Sequence, residues 1–380
     1  TFALLDRLGT RDRVEMQSSL TVPFIHPVRG AAEFRCPSLP SPTHLMAGVL
    51  GYKLLSPRER GSLLLGAIRL VARHLRGDAS LRSETVSGAL DRAGQGKGER
   101  VCFWDPLAIA VLNDLPERAS AALFAEVLRR IFLARERASR LVFPRAGLSE
   151  LYVDAASRIV GESGGAVEMA RAVRELVLRD DRVVGVRLAD GQETLARGVI
   201  LATAPSAVES LVPERVRAGN GLARVGELRA APIVSVHVWY DERFDLPRMA
   251  GFLDGPVHWA FRPPMQPERG TYLTLVTSGA HELVDREPGE IEERVIAEVR
   301  RYLPATRRLT PRDVLVAKER AATWAGTPAE QAIRPGTKTS VAGLFLAGDW
   351  TATGLPGTIE SAVESGERAA EAAAADRGGS

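Results

Sequence analysis

Hydrophobic and polar positions change period several times along the chain, and each change marks an element. Residues 1–9, "TFALLDRLG", read as the end of a helix stopped at Gly9. "LTVPFIHP" (20–27) and "AAEFRCPSLP" (31–40) alternate and predict two short strands joined by a turn, after which Pro37, Pro40 and Pro42 break the chain. From residue 43 to about 140 the apolar positions fall mostly at helical spacing. "SPRERGSLLLGAIRLVARHL" opens with Ser56 as N-cap and Pro57 in the first helical position. "PERASAALFAEVLRRIFLA" (116–134) reads as an amphipathic helix opened by Pro116, and "RAGQGKGER" (92–100) as a loop.

Residues 141–169 predict a strand, a glycine turn and a helix ending near Gly161. An alternating block follows (166–205), with tight turns at Asp180-Asp181 and Asp190-Gly191. Its last run, "GVILATAP", is continuously apolar, as a strand buried on both faces would be. Three further strands are expected at 232–241, 251–263 and 271–279, a helix over them at 287–304, and another strand at 313–324. "GLFLAGDWTATGLPGTIESAVESGERAAE" (343–371) then gives a buried strand, a Gly/Thr/Pro turn and a helix.

Composition adds limits rather than shape. A chain of 380 residues suggests two domains, and 45% hydrophobic with 26% charged residues is ordinary for a soluble globular protein. The net charge is +3 and the only lysines are Lys53, Lys97, Lys318 and Lys338, so no basic block supports nucleic-acid binding. Cys36 and Cys102 are isolated, which fits a reducing cytoplasm, and the six histidines show no metal-ligand spacing. No apolar run approaches the roughly 20 residues needed to span a bilayer. The apolar stretches 44–55 and 62–72 have two readings: helices packed on their own core, or a face that docks peripherally on a membrane.

The closing stretch carries the chemistry. Gly348 lets the backbone come close to a ligand, and Asp349, at the carboxyl end of its strand, can accept hydrogen bonds from a sugar or ribitol hydroxyl. The helix beginning near Thr358 presents free N–H groups and a positive dipole end, which suits negative charge on a ligand. A capped strand–turn–helix without a ligand is the other reading.

"LFLAGDWTATGLPGTIESAVESGERAAE" closely resembles the C-terminal FAD motif of the flavin amine-oxidase and phytoene-desaturase superfamily. The resemblance implies an α/β fold: a Rossmann-like FAD/NAD(P)-binding domain built from discontinuous segments, plus an α+β substrate domain. It implies FAD segments at 141–210 and 335–380, a mainly helical substrate part at 1–140 and a sheet part at 211–334. Asp349 would contact the ribitol–phosphate of FAD beside Gly348. Gly354, Pro356, Gly357, Thr358 and Ile359 would lie against the isoalloxazine. In the middle block, Val173 would touch the adenine through its main chain. Ala202, Thr203 and Pro205 would line the pyrophosphate, with sheet packing as their alternative role.

Two other stretches, "FWDPLAIAVLNDLPERASAALFAEVLR" (103–129) and "LVFPRAGLSEL" (141–151), resemble the squalene-associated branch, the hydroxysqualene dehydroxylases of hopanoid biosynthesis. That likeness implies reductive, FAD-dependent loss of an allylic hydroxyl to give squalene, and a long apolar isoprenoid substrate. A carotenoid or phytoene desaturase, an amine oxidase and a non-catalytic relative remain open. An apolar, aromatic pocket is expected, with Phe103, Trp104, Asn113, Trp239, Trp259 and Phe261 as candidates; plain core is the alternative for the aromatics. Asp105, before Pro106, is either a helix cap or a proton donor to the leaving hydroxyl, and the second role needs a raised pKa. Members of the superfamily begin with a strand–GxGxxG–helix unit, which these residues lack: "GQGKG" (94–98) and "GESGG" (161–165) follow no apolar strand. The unit is therefore expected before Thr1. Oligomeric state leaves no trace in the sequence.

Overall fold

The computed structural model describes residues 1–219, 222–263 and 268–376. They divide into two units, each made of separate runs of chain. The first comprises Thr1–Glu15, Phe143–Arg229 and Ala329–Ser380, whose last four residues lie outside the described set; the second comprises Met16–Val142 and Ala230–Pro328. The observed division differs from the expected one at residues 211–229 and 329–334, and most of all at residues 1–15, all of which belong with the first unit. Tertiary bonds hold residues 1–15 there: the buried Thr10 hydroxyl donates to Leu151 O at 2.9 Å, and Arg145 N donates to Arg13 O at 2.8 Å.

In the second unit a seven-stranded sheet runs in the order Asp313–Trp324, Ala230–Tyr240, Thr271–Ser278, Trp259–Phe261, Met249–Phe252, Thr21–His26 and Gly30–Arg35. Strict alternation sorts its two faces. Val234, Val236, Val238, Leu273 and Leu275 are buried against Ile291, Val295 and Val299 of the helix Pro288–Tyr302. The opposite face carries Phe24, Trp259 and Val276 beneath the helices Thr43–Gly51, Asp105–Leu112 and Ala121–Leu133. The Thr21–Arg35 hairpin was expected, but its place in this sheet was not. It joins through a parallel pairing of Phe24 with Gly251, more than two hundred residues away in sequence.

Capping explains the helix boundaries. Ser56 and Glu59 form a reciprocal capping box, with Glu59 N donating to Ser56 Oγ at 3.3 Å and Ser56 N donating to Glu59 Oε2 at 2.7 Å. The helix expected from Pro116 starts later, at Ala121, because Ser120 is the cap and Leu123 N reaches its hydroxyl. The 92–100 loop ends in a short helical turn, Lys97–Glu99, that runs into a π turn at Arg100–Trp104.

The first unit holds a three-stranded antiparallel meander, Val173–Arg179, Arg182–Leu188 and Glu193–Leu195. The Asp180-Asp181 turn has positive φ at both residues (47° and 58°), as a tight hairpin requires. A parallel pair follows, with Leu344, Phe345 and Leu346 opposite Val199, Ile200 and Leu201. The helix Ile359–Asp376 packs with Ser361, Ser365, Ala369 and Ala372 inward, and these small side chains let it lie close to that pair. Among the described residues no helix is long and apolar enough to cross a membrane.

Candidate functional site

In the first unit, the strand Leu344–Leu346 runs into Gly348 and Asp349, where the chain turns sharply. Gly348 sits at φ 142°, and a Cβ there would stand 2.4 Å from the Trp350 indole nitrogen, so the position admits no side chain. Its N–H donates to Ser365 Oγ at 2.8 Å, while the Ser361 hydroxyl donates to Asp349 O at 3.0 Å. The Trp350 indole N–H donates to Thr203 O at 2.9 Å, which fastens the Ala202–Pro205 turn to this corner.

Arg334 organises the rest of the turn. Its buried guanidinium donates to Trp350 O (3.2 Å), Asp349 O (2.9 Å), Leu355 O (2.9 Å), Thr351 O and the Thr353 hydroxyl (3.3 Å). Burial lowers its pKa to about 10, partly offset by the Asp349 charge. Burial also raises the Asp349 carboxyl above its usual range, against Arg334 and the backbone N–H groups of Asp349 and Trp350. A carboxylate has about four lone-pair sites, so capacity remains for hydroxyl donors.

Beyond the turn Gly354 is exposed with φ 86°, Pro356 is buried, and Gly357 and Thr358 are half-buried. The Thr358 hydroxyl accepts the N–H of Ser361 and caps the helix. Ile359, the first helical residue, leaves 48% of its surface exposed. A bare backbone, an acid and an uncovered apolar face beside a helix N-terminus fit the ribitol and ring end of a flavin. Ala202 is exposed and Pro205 opens the helix Pro205–Leu211. Val173 starts the meander, 38% exposed, and no direct bond ties it to the corner.

The second unit contains a cavity of about 430 Å3 between the sheet and the helices. Its wall is almost wholly apolar, with Phe24, Phe34, Phe103, Trp259 and Phe261 among the aromatics. Gly251 makes this packing feasible: a Cβ there would lie 2.4 Å from the Phe24 ring, and without it Phe24 and Trp259 approach to 5.8 Å between centroids. The Arg100–Trp104 π turn puts consecutive aromatics to different uses. Phe103 faces the cavity, while Trp104 is fully buried and donates its indole N–H to Gln95 Oε1 at 2.6 Å.

Of the other expected pocket residues, Trp259 and Phe261 line the cavity, while Trp104, Asn113 and Trp239 do not. Asn113 is a structural pin in the left-handed region (φ 52°): its amide donates to Thr323 Oγ1 at 3.0 Å and its carbonyl accepts Gly279 N at 3.3 Å. Trp239 stacks on Tyr272, 4.8 Å between centroids and 6° from parallel. Asp105 also lies off the wall. Burial pushes it up to about 6 against the Arg100 guanidinium 3.8 Å away.

Sequence reasoning passed over Arg334, Gly251 and the aromatic pair Phe24 and Phe34. "IRPG" and "TVPFIHP" carry no motif; only the partners, distant in sequence, give these residues their roles.

The fold and the corner define an α/β flavin-binding class, and the second unit holds an apolar cavity. The flavin containing amine oxidoreductase model matches residues 1–374, and the chain belongs to that family, whose cofactor is FAD. A hydroxysqualene dehydroxylase of Rhodopseudomonas palustris is 35% identical over 270 residues, 70% of this chain and 60% of that relative. The chain thus spans less than two thirds of that relative's length. A 15-cis-phytoene desaturase of Synechococcus elongatus is 24% identical over 97% of this chain and 81% of its own length. Among solved structures, an oxidoreductase from Methanosarcina mazei shares the fold at TM-score 0.70 and 16% identity, over 94% of this chain and 81% of that one.

Proposed function

We propose that the protein removes the allylic hydroxyl of hydroxysqualene reductively, giving squalene, with FAD as its redox cofactor. The observation that carries this reading is the cavity of about 430 Å3, whose aromatic and aliphatic wall suits a long hydrocarbon and little else. The 35% identity to a hydroxysqualene dehydroxylase supports the choice among isoprenoids. Bound flavin supplies two-electron hydride chemistry.

The chain's own residues do the rest. Asp349 accepts ribitol hydroxyls beside the bare backbone of Gly348. Gly354, Pro356, Gly357, Thr358 and Ile359 form the surface for the flavin ring, and Arg334 holds that turn in shape. Val173, Ala202 and Pro205 serve the adenine and pyrophosphate side. Phe103, Trp259 and Phe261 exclude water from the hydrocarbon and offer electron-rich ring faces to cationic character at the carbon losing its hydroxyl. Met46, Leu50, Leu65, Ile68 and Leu75 are exposed on two helices beside exposed Lys53, Arg58, Arg69 and Arg76, a combination suited to peripheral docking on an anionic lipid surface.

A second reading, desaturation of a polyene with hydride leaving the substrate, has the phytoene desaturase likeness along 97% of the chain in its favour. The test is incubation of the purified full protein, carrying FAD, with hydroxysqualene and a flavin reductant, and separately with phytoene and an oxidant. Squalene from the first mixture is the expected product. A colourless protein would sink both readings, and a desaturated polyene without squalene would replace the first by the second.

A further inference from the structure

Two serines, Ser139 and Ser278, stand on the wall of the apolar cavity, and the Ser139 hydroxyl has internal partners. It donates to Glu136 O at 2.8 Å. His44, on the helix Thr43–Gly51, is completely buried, with Nε2 3.1 Å from Ser139 Oγ. Either partner can carry the proton of that bond, according to the imidazole tautomer. Burial keeps the imidazole below its ordinary pKa, against the nearby Glu136 carboxylate and a backbone hydrogen bond at Pro40. Arg140 engages that carboxylate at 2.6 and 2.9 Å.

The hydroxyl of serine has one proton and two lone pairs. Whether that proton goes to Glu136 O or to His44 Nε2, at least one lone pair stays free, which leaves an acceptor site on a residue of the cavity wall. A hydroxyl entering an apolar cavity loses its water, and an unpaired polar group there is costly. We propose that Ser139, held in orientation by His44 and Glu136 O, is the recognition site for the hydroxyl of an isoprenoid alcohol in this cavity. Ser139 accepts the substrate O–H and so fixes where along the hydrocarbon the alcohol carbon lies. The proposal deepens, and rests on, the reading of the cavity as an isoprenoid site.

The test is competition by hydroxysqualene and by squalene against a fluorescent lipophilic probe, on the full protein with its flavin. The native protein is expected to prefer the alcohol by about tenfold, the worth of one satisfied buried hydroxyl. Ser139→Ala removes the preference and leaves squalene affinity unchanged, which also shows that the cavity is still folded. Ser139→Thr keeps the hydroxyl and the preference, and His44→Phe weakens it by freeing the serine to rotate. A preference that survives Ser139→Ala, or equal affinities in the native protein, overturns the hydroxyl site while leaving the isoprenoid cavity standing. Failure of both ligands to bind the native protein overturns the cavity reading itself, and this proposal with it.

Discussion

The corner at Gly348–Thr358 and the cavity of the second unit are built on opposite principles. The corner is held by named hydrogen bonds: Arg334 alone serves four carbonyls, and Ser361, Ser365 and Trp350 add three more bonds. The cavity has no such accounting. Apart from Ser139 and Ser278, its wall consists of apolar side chains that meet by van der Waals contact and leave space between them. A polar cofactor edge needs fixed donors and acceptors, whereas a flexible hydrocarbon needs volume without water. Substitutions should therefore act through broken bonds in the corner and through occupied or vacated space in the cavity.

The largest effect is expected at Arg334. Arg334→Met strands several buried carbonyls and leaves Asp349 without its counter-charge, a loss of about 3–5 kcal/mol of stability. Thermal melting and flavin content of the purified protein check this, and an unchanged melting point with full flavin would remove the bonded-corner half of the comparison. Gly348→Ala comes next. A Cβ forced to within 2.4 Å of the Trp350 indole, at a φ that side chains avoid, should cost about 1–3 kcal/mol. It should also break the Trp350–Thr203 bond, visible as altered tryptophan emission with the cavity's ligand affinity intact.

The same contrast explains what the sequence could convey. The corner is local: strand, Gly348, Asp349, turn and helix lie within thirty consecutive residues, so period and turn chemistry expose them together. Arg334 escaped notice because its carbonyl partners are main-chain groups, which have no identity in the sequence. The cavity is non-local. Phe24 reaches Trp259 only through the pairing of Phe24 with Gly251, and alternation along Thr21–His26 says which face a residue takes but not which sheet it joins. Phe103 and Trp104 show the limit at single-residue scale. Adjacent and both aromatic, they are separated into wall and core by a π turn that no periodicity announces.

Asp105 offers a stabilising change on the apolar side. Its Oδ1 is buried without a hydrogen-bond partner, and burial raises its pKa from 3.8 to about 6. The folded state therefore holds a proton that the unfolded state gives up at lower pH. Its contribution is fully present below about pH 4 and is lost as pH rises through about 6. Asp105→Asn should flatten this slope and stabilise the protein at pH 7 by about 1–2 kcal/mol, after discounting for partial exposure and the Arg100 charge. Melting temperatures of both proteins from pH 4 to 7 test it; parallel curves would mean that the carboxyl is ionised throughout.

The smallest effect on stability, and the sharpest probe of the cavity, is expected from Ala110→Trp. Ala110 is exposed and also stands on the cavity wall, so it occupies the border between the empty space and solvent. An indole there can turn into vacant volume without displacing packed neighbours. Stability should shift by no more than about 0.5 kcal/mol, as for a surface site. Isoprenoid affinity should fall at least about tenfold, because the indole takes space the hydrocarbon needs and excludes the methylenes that would have filled it. Flavin content should not change, since the corner's bonds involve none of these residues. A destabilisation of about 2 kcal/mol would mean the space is already filled by packing. Undiminished affinity would mean that the hydrocarbon binds elsewhere. Either result breaks the contrast between a bonded corner and an open cavity from the cavity's side.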